Sequence, residues 1–103
     1  MHLLQIFIPL RDNNDKPFPP GHYTRIRKTL TEECGGVTAY THAPAEGLWK
    51  DKHDGGQHDE MVIFEALVAK CDKSWWRKYK KQLETTFAQD EIMIRIHKVK
   101  ILK

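Results

Sequence analysis

The sequence lacks the signatures of most familiar catalytic and binding classes. It contains no complete catalytic triad, no glycine-rich phosphate loop and no closed set of zinc ligands. No apolar run approaches the roughly 20 residues that cross a bilayer. The Met1–Leu10 segment also lacks the basic start and long apolar centre of a signal peptide. We therefore expect a soluble, cytoplasmic protein with no membrane partner.

Cysteine is scarce as well. Cys34 and Cys71 are the two cysteines of the chain, and they do not form a CxxC pair. Without an export signal, two reduced structural thiols are expected rather than a disulfide. Neither residue lies beside a histidine in the sequence, which argues against an activated nucleophile.

Apolar periodicity predicts four strands and two helices in 103 residues without a break in composition, which fits one domain. Alternation indicates strands at Leu3–Leu10, Val37–His42, Met61–Ala69 and Glu91–Leu102. Helical spacing indicates one helix at about Gly21–Cys34 and a second that is capped by Asp72 or Ser74 and runs to about Phe87. The last strand changes phase near His97-Lys98, which predicts a bulge or bend. The order βαββαβ is that of a ferredoxin-like α+β fold, an antiparallel sheet of order 4-1-3-2 with both helices on one face.

The same alternation leaves one face of the sheet without helices. The residues assigned to that face are Gln5, Phe7, Tyr40, His42, Ile63, Glu65, Leu67, Met93, Arg95 and His97. This set is too apolar to lie in water, and such a patch on a small protein usually marks a partner surface. Because symmetric pairing is the commonest assembly, we expect a homodimer through this face.

Length, element order and a two-faced sheet give the chain its family resemblance. In these features it resembles the dimeric α+β barrel superfamily, which includes small antibiotic-biosynthesis-type monooxygenases, muconolactone-isomerase-like proteins and stress-responsive barrel proteins. The resemblance covers nearly the whole chain and implies two sheets packed face to face around a pocket. The segments GGVTAYTHAPAEGLWKD and WW…F-x-Q-D-E also resemble a group of small uncharacterised bacterial proteins, which implies a shared fold but no activity.

The interior of such a barrel would hold a polar cluster able to bind an acidic or aromatic small molecule and to move a proton. If the protein is an enzyme, of the cofactor-independent monooxygenase or isomerase kind, we predict His42 as general base, Arg95 as the group that stabilises a developing oxyanion, and Glu65 as a third catalytic residue. The predicted ligand contacts are Phe7, Tyr40, Trp49 and His97, and no cofactor is expected. The alternative is a non-catalytic interaction module, in which Glu65 pairs with Arg95 at a dimer interface and the histidines are hydrogen-bonded.

The segment Ala43–Glu60 is too long for a simple hairpin loop. Asp54-Gly55-Gly56 offers the positive φ angles of a tight turn, so we predict a β-hairpin extension between strands 2 and 3. Trp49 on this arm either covers a pocket mouth or packs against the second subunit. His53 and His58 flank the turn, but no outer-shell partner can be identified for them, so no metal is predicted.

Nucleic acid is a poor fit as a partner. The chain has 17 Lys and Arg against 14 Asp and Glu, a net charge of only +3. An RNA-recognition domain of the same topology would carry stacking aromatics on its third strand, where this chain has Ile63, Glu65 and Leu67. We therefore expect no nucleic-acid partner.

Overall fold

The computed structural model describes residues 1–44 and 60–103, with the backbone alone described for residues 41–44. Its elements are β1 (His2–Pro9), α1 (Pro20–Cys34), β2 (Thr38–Pro44), β3 (Glu60–Val68), α2 (Lys73–Thr86) and β4 (Ile94–Lys98). The four strands form one antiparallel sheet in the order β2-β3-β1-β4. The predicted ferredoxin-like fold and its strand order are thus confirmed. The predicted hairpin extension lies outside the described residues.

Local signals set the ends of both helices. Proline occupies the first turn of α1, where its missing N–H is not needed. Gly35 follows the helix in the left-handed region at φ 83°, and its N–H donates to the Thr31 carbonyl. In α2 the Asp72 carboxylate accepts from the backbone N–H groups of Ser74 and Trp75, at 3.1 and 3.2 Å. Of the two caps that the sequence predicts, Asp72 and Ser74, the structure uses Asp72.

Both helices pack on the same face of the sheet. The even-numbered residues of β1 and β3 join the inward stripes of α1 and α2 in a single apolar cluster. Its members are Leu4, Ile6, Ile8, Ile26, Leu30, Val62, Phe64, Trp76, Tyr79, Leu83, Phe87 and Ile92, each at most 6% exposed. The helices therefore leave the odd-numbered residues of β1 and β3 on the opposite face.

The two edge strands depart from simple alternation. Strand β4 is shorter than predicted at both ends. Its C-terminal end is at Lys98 because the partner of Lys98, His2, is the first residue of β1. Beyond that pair the Val99 N–H donates to the Met1 carbonyl. The pairing of β4 is regular throughout, so the change of phase marks the end of the strand rather than a bulge. The irregularity lies in β2, where the register with β3 shifts by one residue between Tyr40 and Ala43.

The two cysteines are free and partly buried against the core, as predicted. Burial raises the pKa of the Cys34 thiol, and the charge of Glu33 raises it further. Cys34 is therefore poorly suited to act as a thiolate. Neither helix in the described ranges is long and apolar enough to cross a membrane.

One carboxylate ties the end of α2 to the chain entering β4. Glu84 Oε2 accepts from Lys80 Nζ at 2.6 Å and from the Ile92 N–H at 3.0 Å. Lys80 Nζ also donates to Glu91 at 2.7 Å. The hydrogen bond from Lys80, followed by that from Ile92, lowers the pKa of Glu84. This contact holds Ile92, 2% exposed, in the core.

We expect Phe87→Ala to lower the free energy of unfolding by about 3–5 kcal/mol. Phe87 is fully buried, and its ring lies 4.9 Å from Phe18, 5.2 Å from His22 and 5.6 Å from Tyr23, centroid to centroid. Urea unfolding measures the loss. Leu102→Ala, at a side chain that is 97% exposed, is the control and should change stability by less than about 0.5 kcal/mol. A loss below about 1 kcal/mol at Phe87 would contradict the packing described.

Glu84→Gln should destabilise the protein by about 0.5–1.5 kcal/mol at pH 7, because the amide keeps an acceptor for Ile92 but loses its charge. The folded-state pKa of Glu84 lies below the ordinary value of 4.5. Its stabilising contribution is therefore complete above about pH 4.5 and disappears as the pH falls through the folded-state pKa. Urea unfolding of both proteins from pH 7 to pH 3 should show the difference shrinking. A difference that is constant with pH, or unchanged in a Lys80→Met background, would show that the Lys80 contact does not cause it.

Candidate functional site

The helix-free face presents most of the predicted site residues in rows that cross the strands. Cross-strand partners in a sheet lie on the same face. One row runs through all four strands as Thr38, Glu65, Gln5 and Arg95, and the next contains Tyr40, Ile63 and Phe7. A third row contains Leu67, Leu3 and His97. The fold therefore brings Phe7, Tyr40, Glu65, Arg95 and His97 onto one surface.

A chain of hydrogen bonds joins three of the polar side chains on this face. Gln5 Nε2 donates to Glu65 Oε2 at 2.7 Å, and Gln5 Oε1 lies 3.0 Å from His97 Nε2. Gln5 is on the central strand β1, whereas Glu65 and His97 are on its two neighbours, β3 and β4. A single amide therefore links a carboxylate to an imidazole across three strands.

The donors and acceptors of this chain fix the proton on the histidine. An ionised carboxylate only accepts hydrogen bonds, so the amide nitrogen of Gln5 faces Glu65 and its carbonyl oxygen faces His97. A carbonyl also only accepts, so Nε2 of His97 carries the hydrogen. In the neutral ring the lone pair is then on Nδ1. His97 is exposed, so this nitrogen can act as a base toward a bound molecule.

Arg95 is held against an aromatic ring rather than a carboxylate. Its Cζ lies 5.3 Å from the centroid of the Phe7 ring, a cation–π distance, and Phe7 is only 3% exposed. Within the part of the chain that the structure describes, no ion pair joins Arg95 to Glu65. Adjacent strands lie about 4.8 Å apart, so the two residues, on either side of β1, are separated by ~10 Å at the backbone. The Glu65–Arg95 pair of the alternative interpretation does not form within one chain.

His42 lies in β2, at the register shift between Tyr40 and Ala43. Its predicted place beside Tyr40 rests on uninterrupted alternation, which the shift breaks. Its side chain is outside the described part, as are Trp49, His53 and His58. Tyr40 is 49% exposed on the helix-free face.

Sequence reasoning placed Gln5 on this face but gave it no role, although it joins Glu65 to His97. The available signal was its position as the one polar residue in the apolar stretch LLQIFIPL. The role depends on register, which places Gln5 opposite both Glu65 and Arg95. Strand order alone does not supply that register.

One other surface offers less chemistry. A cleft of about 460 Å³ near the end of α2 is lined by Lys81, Glu84, Thr85, Ala88, Gln89 and Asp90. Its carboxylate with a lowered pKa, Glu84, is already bound by Lys80 and Ile92. Among the residues whose side chains are described, no three of His, Cys, Asp or Glu group so as to hold a metal ion. We therefore place the candidate site on the helix-free face.

Comparison with known proteins adds support for the fold. No protein-family model matches the sequence, and a search of curated proteins gives no match. The chain is similar in structure to a phage SAM lyase solved in complex with S-methyl-5'-thioadenosine. The TM-score is 0.57 at 13% sequence identity, over 93% of this chain and 79% of that chain. Similarity at this level shows a shared small α+β fold and transfers no residue roles.

Proposed function

We propose that the protein is a cytoplasmic homodimer whose two helix-free sheet faces enclose a site for a small organic ligand. This assembly would follow the dimeric α+β barrels that the sequence resembles. The observation that carries the proposal is the Glu65–Gln5–His97 chain beside Arg95, on a face that neither helix covers. Polar groups held in fixed geometry on an apolar surface are typical of small-molecule sites.

The apolar part of the face supports the dimer. Tyr40 is 49% exposed and Leu67 is 36% exposed, and both flank the polar rows. A second copy that packs its own sheet about 10 Å away would remove these side chains from water. The burial favours association through the hydrophobic effect.

The polar part of the face supports ligand binding and proton transfer. His97 has a lone pair on Nδ1 and a fixed hydrogen on Nε2, so it can take a proton from a bound molecule. Arg95 can stabilise the negative charge that results, and no resident cofactor is needed for that step. His97 is therefore a second candidate for the role of base that the sequence predicts for His42. His42 remains a prediction for the same role.

A suitable first probe comes from the phage SAM lyase, which was solved with S-methyl-5'-thioadenosine. The half-exposed ring of Tyr40 offers this chain a stacking surface for a purine. Glu65 adds hydrogen-bond acceptors on the same face.

The second candidate function is a dimer interface without a ligand. If the two-fold axis runs parallel to the strands and passes over β1, β3 of each copy lies opposite β4 of the other. Glu65 would then face Arg95 of the partner subunit, forming between chains the pair that is missing within one. The observation that favours this alternative is the absence of an ion-pair partner for Arg95 among the described residues of its own chain.

Leu67→Asp should convert the dimer to a monomer, whereas Ile96→Asp should not. The two side chains are similarly exposed, at 36% and 42%, but Ile96 pairs with Leu4 and so lies on the helix side of the sheet. One buried carboxylate per subunit would raise the dissociation constant on the order of a thousandfold, equivalent to ~4 kcal/mol. Sedimentation velocity at micromolar concentration measures the assembly.

Two results would contradict assembly through this face. One is a wild-type monomer at micromolar concentration, and the other is equal disruption by the two aspartates.

Glu65→Gln and Arg95→Gln, alone and combined, distinguish a ligand site from a ligand-free interface. A coupling of about 1 kcal/mol or more between them in the dimer dissociation constant would favour the pure interface.

A further inference from the structure

We infer that the ligand of the helix-free face carries a carboxylate, which binds the Arg95 guanidinium, and that Gln5 is a positioning residue that presents Nδ1 of His97 to it. The inference rests on the proposed ligand site. It adds the chemical class of the ligand and the residues that read it.

Arg95 has hydrogen-bond donors that its contact with Phe7 does not use. Its contact with the Phe7 ring uses the charge of the guanidinium, through the ring quadrupole, and requires none of its N–H groups as hydrogen-bond donors. Over the described ranges, no carboxylate or carbonyl accepts a hydrogen bond from Arg95. A guanidinium presents paired donors whose spacing matches the two oxygens of a carboxylate. The ring thus holds in place a cation whose donors are still available.

Covering the helix-free face with a second sheet would remove the Arg95 cation from water. Withdrawing an unpaired cation from water is strongly unfavourable unless an anion accompanies it. Glu65 of the same chain cannot serve, because Gln5 binds it and β1 separates the two residues. Glu65 of the partner subunit would serve only in the ligand-free interface, which the coupling of Glu65→Gln with Arg95→Gln tests. An anionic ligand would remove this cost, so its binding and closure of the face would favour each other.

The charges on the helix-free face favour a carboxylate over a phosphate. Arg95 is the one fixed positive charge among the described residues of the three rows, and Glu65 supplies a negative charge in the same row as Arg95. Lys98, at the end of β4, pairs with His2 and so lies on the helix side. His97 directs its Nε2–H at Gln5, so it offers the ligand an acceptor. One cation beside one acceptor suits a monoanion better than a dianion, which usually engages several donors and cations.

The spacing of Arg95 and His97 along β4 suits a small ligand. Arg95 and His97 are two residues apart on the same face, which corresponds to roughly 7 Å along a strand. A small ligand anchored by its carboxylate at Arg95 would therefore extend toward His97. Gln5 contacts His97 but not the ligand, and it determines which ring nitrogen is presented.

The test uses benzoate and benzamide, which have similar shape but differ in charge, titrated against the wild-type dimer by NMR. Benzoate should bind at least tenfold more tightly than benzamide, with shifts at Gln5, Arg95 and His97. Arg95→Gln should remove the preference, and Arg95→Lys should keep the charge but weaken benzoate binding severalfold. Arg77→Gln, at an exposed arginine of α2, is the matched control and should bind as the wild type does.

A second readout isolates the positioning role of Gln5. Imidazole ¹⁵N shifts should show His97 as the Nε2–H tautomer in the neutral wild-type protein, and Gln5→Met should give a mixture of tautomers. A purely structural role for Gln5 would lower stability but leave the tautomer unchanged, and this result would overturn the assignment.

The outcomes separate this inference from the proposal beneath it. Equal binding of benzoate and benzamide at this face would overturn the carboxylate but leave the ligand site standing. Loss of the preference in Arg77→Gln as well as in Arg95→Gln would also overturn the role of Arg95. If neither compound binds but S-methyl-5'-thioadenosine shifts resonances of this face, the inference is overturned and the ligand site stands. If none of the three compounds binds, or if all shifts are confined to the helices, both the inference and the proposed site are overturned.

Discussion

The structure depends on the two-sided alternation of β1. This strand lies inside the sheet between β3 and β4, and its side chains must satisfy opposite environments in turn. Leu4, Ile6 and Ile8 are fully buried under the helices. Gln5 and Phe7 alternate with these residues and lie on the opposite face. Gln5 forms the hydrogen bonds to Glu65 and His97, and the Phe7 ring lies beneath Arg95. A slip of one residue in this strand would exchange the core for the site.

Much of the fold could be predicted because its signals are periodic and local. The stripes of both helices, the stop at Gly35 and the cap at Asp72 require no knowledge of distant residues. The strand order followed from the sequence of elements. The C-terminal end of β4 was missed because it depends on where its partner β1 begins, at His2 opposite Lys98. The register shift in β2 likewise has no signal in its own residues, Thr41 and His42.

The candidate site was predictable as a surface but not as a set of contacts. Alternation correctly placed Phe7, Glu65, Arg95 and His97 on one face. The pairing of Glu65 with Arg95, a natural expectation from their charges, fails within the chain because β1 separates them. Gln5, which has no charge, takes the carboxylate instead. Opposite charge alone does not determine partners in a sheet, since strand position sets which side chains can meet.

The proposed dimer brings the helix-free faces of two copies together around the site. The most direct measurement mixes ¹³C-labelled with unlabelled chains and records nuclear Overhauser effects that pass only between them. We predict contacts between chains from the methyl groups of Leu67 and the ring of Tyr40, with none from Ile26 or Leu30 in α1. Contacts between chains that arise from the helices, or none from Leu67 and Tyr40 in a sample that sediments as a dimer, would contradict this assembly.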